Sequence, residues 1–233
     1  MTHPKRLARI AGVLYIVLIA TAAFAQGYVS EHLVVAGDAA ATAANIVAHK
    51  GLLRAGYAFY LIEMACDMTA AALLYVLLRP VSRPGALVGL VLSLAGAVIK
   101  TFARVFFILP LFVLGGTASL GAFPPGQVQA LAALSLRIND QGASMAMVFF
   151  GVATLVKGFL ILRSGFWPRA LGVLSILGGL GWLSYLYAPL VGRVFPFIMG
   201  IGLLGVAVHV FWLLVFGVNE KRWRERAEAA GVA

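Results

Sequence analysis

Two pairs of oppositely charged residues interrupt two long apolar segments of the sequence. Glu63 and Asp67 lie in the first of these segments, and Lys100 and Arg104 lie in the second. Each pair is spaced i, i+4, so its two side chains share one face of a helix. A charge in the hydrocarbon core of a bilayer costs roughly 2.5–3.5 kcal/mol on insertion scales, so charges there usually have a function or a charged partner.

A short basic turn joins the two segments, which predicts an antiparallel helix pair. With the turn centred near position 82 or 83, the register places Glu63 opposite Arg104 and Asp67 opposite Lys100. Two interpretations of this cluster remain open. It is either a polar pocket for an anion, a proton or a lipid headgroup, or an ion-pair clasp whose charges cancel and which stabilises the fold.

Five further residues are secondary candidates, each with a simpler structural role. Tyr60 continues the charged helix face by one turn. Asp38 can cap a short helix, and Asp140 can cap the fourth span. Lys157 can snorkel toward the basic end of that span, and His209, a lone histidine within a span, more often makes a helix–helix hydrogen bond than binds a ligand.

The sequence lacks motifs for catalysis, metal binding or cofactors. Its histidines are far apart, Cys66 is its single cysteine, and no H-E-x-x-H motif occurs. Residues 200–205 match G-x-G-x-x-G but follow no predicted strand, so they are not a nucleotide-binding loop. We therefore predict no catalytic residue, no metal and no cofactor, and an enzyme is the least favoured function.

Composition predicts the elements that hold these residues. Apolar residues make up 62% of the 233 positions and charged residues 11%, against roughly 45–50% and 25% in soluble domains. A helix needs about 20 apolar residues to cross a bilayer, so we predict an all-α, polytopic transmembrane bundle in one domain. The predicted spans are residues 7–26, 52–78, 86–114, 143–162, 171–187 and 195–218, with surface helices at 38–48 and 128–137.

The boundary of the fourth span depends on a length argument. As one helix, residues 128–162 would be roughly 52 Å long, too long for one perpendicular crossing. The polar run 139–142 therefore predicts a break between a surface helix and the span.

The basic residues are sorted among the connecting segments. Eleven of the eighteen Lys and Arg lie in the N-terminal segment, two short turns and the C-terminal tail, which share one side if there are six spans. Four lie on the other side: Lys50, Arg54, Arg137 and Arg193. This predicts cytoplasmic N- and C-termini. Topology thus explains the net charge of +10, and we predict no nucleic-acid partner because no soluble basic module is present.

The first apolar segment also resembles a secretory signal peptide, with Ala23-Phe24-Ala25 as a cleavage site. We favour a retained span because the apolar run is long enough to cross the bilayer.

Four stretches together resemble a bacterial family of multi-span membrane proteins known as a domain of unknown function. They are residues 9–15, 37–46, 74–81 and 158–172, which include the sequences GDAAATAANI and RSGFWPRALG. The resemblance implies a six-helix protein of the bacterial cytoplasmic (inner) membrane with a retained first span, and it implies no reaction.

Three functions fit these features. The first is transport or binding of a small or lipid-like ligand at the charged cluster. The second is a structural or regulatory membrane protein that uses the cluster as a clasp, and the third is an intramembrane enzyme acting on lipids. The partners that the sequence predicts are membrane lipids and such a ligand.

Overall fold

The protein is all-helical. The computed structural model describes residues 3–116 and 121–231, without the side chains of 188, 190–195, 198 and 199, and no strand occurs in these residues. The side chain of Arg193, assigned above to the less basic side, lies outside this description. The helices are α1 (Pro4–Leu33), α2 (Ala39–Ala48), α3 (Lys50–Leu78), α4 (Arg83–Val113), α5 (Pro125–Ser164), α6 (Arg169–Leu186), α7 (Ala188–Val215) and α8 (Glu220–Ala229).

Five of the described helices are long and apolar enough to cross a membrane, namely α1, α3, α4, α5 and α6. A sixth span is formed if Gly200–Val215 and α8, which are bent by 92° at a short break, count as one unit. The predicted fold class, a helical bundle with about six spans, is confirmed.

Helix α5 corrects the prediction of a break at residues 139–142. It runs without interruption through 40 residues, so the separate surface helix at 128–137 is part of it. The first polar residue of that run, Asn139, has partners in the fold, because its amide is hydrogen-bonded on both its oxygen and its nitrogen. Gly142 serves close packing, since a Cβ there would lie 2.7 Å from the Cβ of Ala103 on α4.

The chain divides into two compact units. Unit 1 comprises residues 1–16, 66–97 and 145–233, and unit 2 comprises residues 17–65 and 98–144. The core of unit 1 includes Trp167, Leu213 and Trp223. The core of unit 2 includes Leu33, Ile46, Leu53, Tyr60 and Phe107. Each unit thus has its own apolar interior.

The short helix α2 in unit 2 has the cap that the sequence predicts. The Asp38 carboxylate accepts a hydrogen bond from the Ala41 amide at 2.8 Å. The Thr42 hydroxyl adds a second tie, because it accepts from the Val35 amide at 3.0 Å. Asp38 is therefore explained by helix capping, which satisfies a backbone N–H that has no partner within the helix.

Candidate functional site

A buried ion pair joins α3 and α4 in unit 2. The Lys100 ammonium donates to Glu63 Oε1 at 2.7 Å, and the two residues are only 8% and 3% exposed. The predicted partner of Glu63 was Arg104, one helical turn further on, so that pairing is wrong. The turn between the helices occupies residues 79–82, which puts its centre about two positions earlier than assumed. That shift moves the residue opposite Glu63 by one turn, from Arg104 to Lys100.

Arg104 is bound by neutral groups instead. Its Nη1 donates to Asn139 Oδ1 at 2.8 Å, and its guanidinium carbon lies 3.7 Å from the centroid of the Tyr60 ring. Such a cation–π contact is worth about 2 kcal/mol or more where both groups are desolvated. Arg104 is 2% exposed, so the contact is of the desolvated kind.

Helix α5 extends this network to the protein surface. Asn139 Nδ2 donates to Asp140 Oδ1 at 2.9 Å, and Asp140 is exposed. Asp140 therefore ends a hydrogen-bonded chain that begins at buried Arg104. It lies inside α5 rather than at a helix start, so its predicted role as a cap is wrong.

Tyr60, Glu63, Lys100, Arg104 and Asn139 form what we call the Arg104 cluster. Two of its polar atoms, Glu63 Oε2 and Arg104 Nε, are buried and have no hydrogen-bond partner among the described residues. An unsatisfied buried polar atom costs about 1–3 kcal/mol, and more when the group is charged. The cluster thus contains an ion pair with one carboxylate oxygen unsatisfied and a cation with one N–H group unsatisfied.

Apolar and aromatic side chains surround the cluster. Tyr60 packs edge to face against Phe107, with ring centroids 5.0 Å apart, and both rings belong to the core of unit 2. Leu53 and Leu136 complete the same core. The charged groups therefore lie in a low-dielectric environment, where electrostatic interactions are strong.

Asp67 belongs to unit 1, and its neighbours there come from other helices. Its carboxylate interacts electrostatically with Tyr15 on α1 and with Lys157 on α5. Both Asp67 and Lys157 are half-buried. Lys157 in turn interacts with His209 on α7, so these side chains form a second polar group within unit 1.

His209 makes the helix–helix hydrogen bond that the sequence predicts. Its Nδ1 lies 2.8 Å from the Gly205 carbonyl oxygen. A carbonyl oxygen can only accept a hydrogen bond, so Nδ1 is the donor. Nε2 of the neutral ring then accepts from the Ser175 hydroxyl of α6 at 3.1 Å. Both ring nitrogens have partners, which leaves His209 with a structural role.

Three partner residues were missed in the sequence: Asn139, Tyr15 and Ser175. Asn139 was interpreted as part of a break, although a polar side chain in an otherwise apolar helix usually bonds across to a neighbouring helix. Tyr15 and Ser175 carried no signal beyond their polarity. Among the described residues, no three His, Cys, Asp or Glu side chains are grouped as metal ligands.

The chain matches one protein family over most of its length. Residues 10–217 match the family model described as a domain of unknown function, DUF4386. A protein of the archaeon Archaeoglobus fulgidus, described as "Uncharacterized protein", is 28% identical over 159 residues, which cover 65% of this chain and 76% of that protein. No solved structure matches the chain. The match begins within α1 and ends just beyond α7, and the chain therefore belongs to the DUF4386 family.

Proposed function

We propose that this multi-pass membrane protein binds a small or lipid-like anionic ligand at the Arg104 cluster and carries it within or across the membrane. The observation that carries the proposal is the Arg104 guanidinium. It is buried, its contacts are the neutral Asn139 amide and the Tyr60 ring, and its Nε has no hydrogen-bond partner among the described residues.

Charge balance supports an anion as the ligand. Lys100 and Glu63 neutralise each other at 2.7 Å, which leaves the positive charge of Arg104 without a carboxylate in direct contact among the described residues. The carboxylates of Glu63 and Asp140 act on Arg104 electrostatically but form no ion pair with it among the described residues, and a buried charge that lacks a contacting counter-ion is destabilising. A carboxylate or phosphate would supply that charge and would accept hydrogen bonds from the planar guanidinium.

The surroundings support a ligand with an apolar part. Tyr60 stacks on the guanidinium, and Phe107 packs against Tyr60 in the apolar core of unit 2. Small-molecule sites commonly combine such an apolar lining with a few charged or polar groups. A long-chain carboxylate has both a negative charge and an apolar chain, whereas a small inorganic anion has only the charge.

Thermal unfolding of the detergent-purified protein tests the proposal. Sodium oleate is the probe, inorganic phosphate tests a small anion, and oleyl alcohol tests the apolar chain alone. We expect oleate to raise the unfolding midpoint and oleyl alcohol to leave it unchanged. A ligand at 100 times its Kd stabilises the folded state by about 2.7 kcal/mol, which is readily measured.

Two variants locate the effect. Arg104→Gln should abolish the oleate-dependent shift, and Arg104→Lys should weaken it because an ammonium lacks the bidentate guanidinium geometry. Arg54→Gln is the matched control, since Arg54 is an exposed arginine of α3. An oleate shift that survives in Arg104→Gln, or no shift with any of the anions, would contradict the proposal.

The ion-pair clasp is the second candidate function. The observation that favours it is the Lys100–Glu63 pair, which is buried and only 2.7 Å long. In this case the cluster holds α3 to α4 and binds no ligand. The two candidates differ in what they require of Arg104, because only ligand binding needs its guanidinium.

A further inference from the structure

The basic end of unit 1 contains an open groove with an unusual lining. It has a volume of about 550 Å³ and lies between the turn that joins α5 to α6 and the C-terminal helix α8. Four arginines line it: Arg163, Arg169, Arg222 and Arg226. Its other described lining residues are Leu162, Gly165 and Trp167, so no acidic side chain is among them.

Hydrogen bonds between the two walls hold the groove in place. Gly165 has a φ of +72°, a left-handed conformation that suits glycine, and its carbonyl accepts from Arg222 Nη1 at 3.0 Å. Trp167 Nε1 donates to the Gly217 carbonyl at 2.8 Å. The chain entering α8 is thus tied to the turn that forms the opposite wall.

Helix α8 is docked by one buried tryptophan. Trp223 is 2% exposed, and its Nε1 donates to the Leu77 carbonyl at 2.9 Å. Ala227, four residues later, is fully buried on the same face. The charged faces of α8 are therefore presented by a fixed helix, not by a loose tail.

The four positive charges repel one another unless an anion lies between them. Arg222 and Arg226 are spaced i, i+4 on α8, and like charges at this spacing destabilise a helix. Glu225 lines a neighbouring groove, which shares Arg222 and Arg226, so it can offset only part of this charge. A concave site with one sign of charge concentrates ions of the opposite sign.

We propose that this groove binds the headgroup of an anionic phospholipid that carries two phosphates. Arginine recognises phosphate oxygens with two parallel hydrogen bonds, and the groove offers two pairs of arginines, one on each wall. It lies where the apolar helix α5 ends, which is where the headgroup layer begins for a helix that crosses a bilayer. Basic pockets at the cytoplasmic ends of spans suit lipids of this charge. The site is separate from the Arg104 cluster and does not depend on the function proposed there.

Native mass spectrometry of the delipidated full-length protein in detergent tests the assignment. The probes are tetraoleoyl cardiolipin, dioleoylphosphatidylglycerol, dioleoylphosphatidylcholine and sodium pyrophosphate. We expect cardiolipin to bind most tightly, about 10-fold tighter than the single-phosphate lipid, because each lost charge-assisted contact costs about a factor of ten or more. Pyrophosphate should compete only weakly, since it has no acyl chains.

Paired substitutions locate the binding. Arg163→Gln with Arg169→Gln should weaken cardiolipin binding about 10-fold or more, and neither side chain donates a hydrogen bond among the described residues, so folding should survive. Lys221→Gln with Arg224→Gln removes the same charge from α8 outside the groove lining and should change binding by less than about 2-fold. Equal weakening by the two pairs overturns the proposal, as does pyrophosphate binding as tightly as cardiolipin.

Discussion

At the scale of single residues, Lys100 and Arg104 show how differently two cations of one helix face can be accommodated. Lys100 is neutralised by Glu63 at 2.7 Å, whereas Arg104 rests on an aromatic ring and an amide. The flexible ammonium reaches a single carboxylate oxygen, and the delocalised guanidinium can stack on Tyr60. The structure thus assigns ion pairing to Lys100 and leaves Arg104 as the candidate binding residue. The spacing of the charges in the sequence did not distinguish these two roles.

The ion pair leads to a prediction about stability. Lys100→Met should lower the free energy of unfolding by about 3–5 kcal/mol, because Glu63 would remain buried without its counter-charge. The double variant Glu63→Gln with Lys100→Met should recover most of this loss. The measurement is denaturant unfolding in detergent micelles.

Lys50→Met is the control for this experiment, because Lys50 is an exposed residue of α3 and its loss should change little. A double variant as unstable as Lys100→Met would show that the pair does more than cancel a charge. Exchange of the two residues, Glu63→Lys with Lys100→Glu, should likewise fold if the pair acts only as a clasp.

At the scale of elements, the packing of α5 against α6 in unit 1 depends on facing glycines. A Cβ at Gly158 would lie 2.9 Å from the Gly172 carbonyl oxygen, and a Cβ at Gly172 would lie 2.9 Å from the Gly158 carbonyl oxygen. Neither contact is relieved by a side-chain rotation, because both involve backbone atoms. Small residues at helix interfaces allow this close approach in membrane proteins.

Gly172→Ala should therefore destabilise the protein by about 1–3 kcal/mol, the usual range for overpacking. Gly178→Ala, on the same helix, is the matched control because nothing lies within 4 Å of a Cβ there. It should be neutral or stabilising by up to about 1 kcal/mol, since alanine is the better helix former. Unfolding midpoints of the two variants in the same detergent decide the matter, and equal values would refute the close-packing account.

The positions of the helices were predicted correctly where composition determines them. They were predicted incorrectly where contacts between side chains determine them. Apolar runs located α1, α3 and α4, and the aspartate cap located α2. The break expected at residues 139–142 was wrong because Asn139 is satisfied by Arg104 and Asp140 within a continuous helix.

At the scale of the whole molecule, the distribution of basic residues agrees with the division into units. The eleven Lys and Arg assigned to the cytoplasmic side all belong to unit 1. Of the four assigned to the other side, Lys50, Arg54 and Arg137 belong to unit 2, and Arg193 is the exception because it belongs to unit 1. The positive-inside rule therefore predicts that both ends of the chain are cytoplasmic.

Cysteine labelling of intact cells tests this orientation. In a Cys66→Ala background, Ala36→Cys in the exposed segment before α2 should react with a membrane-impermeant maleimide added outside. Ala229→Cys, exposed at the end of α8, should react only after the cells are lysed. Labelling of Ala229→Cys in intact cells would contradict the predicted orientation.

The sequence by itself determined that this protein is an all-helical membrane protein and which charged residues lie within its apolar helices. Those properties follow from composition and helical periodicity, because a bilayer imposes the same length and polarity on every span. Tertiary structure alone decided that Lys100 pairs with Glu63, that Arg104 contacts Tyr60 and Asn139, and that four arginines line one groove. Such pairings depend on turn length and on contacts between residues far apart in the chain, where a shift of one helical turn replaces one partner with another.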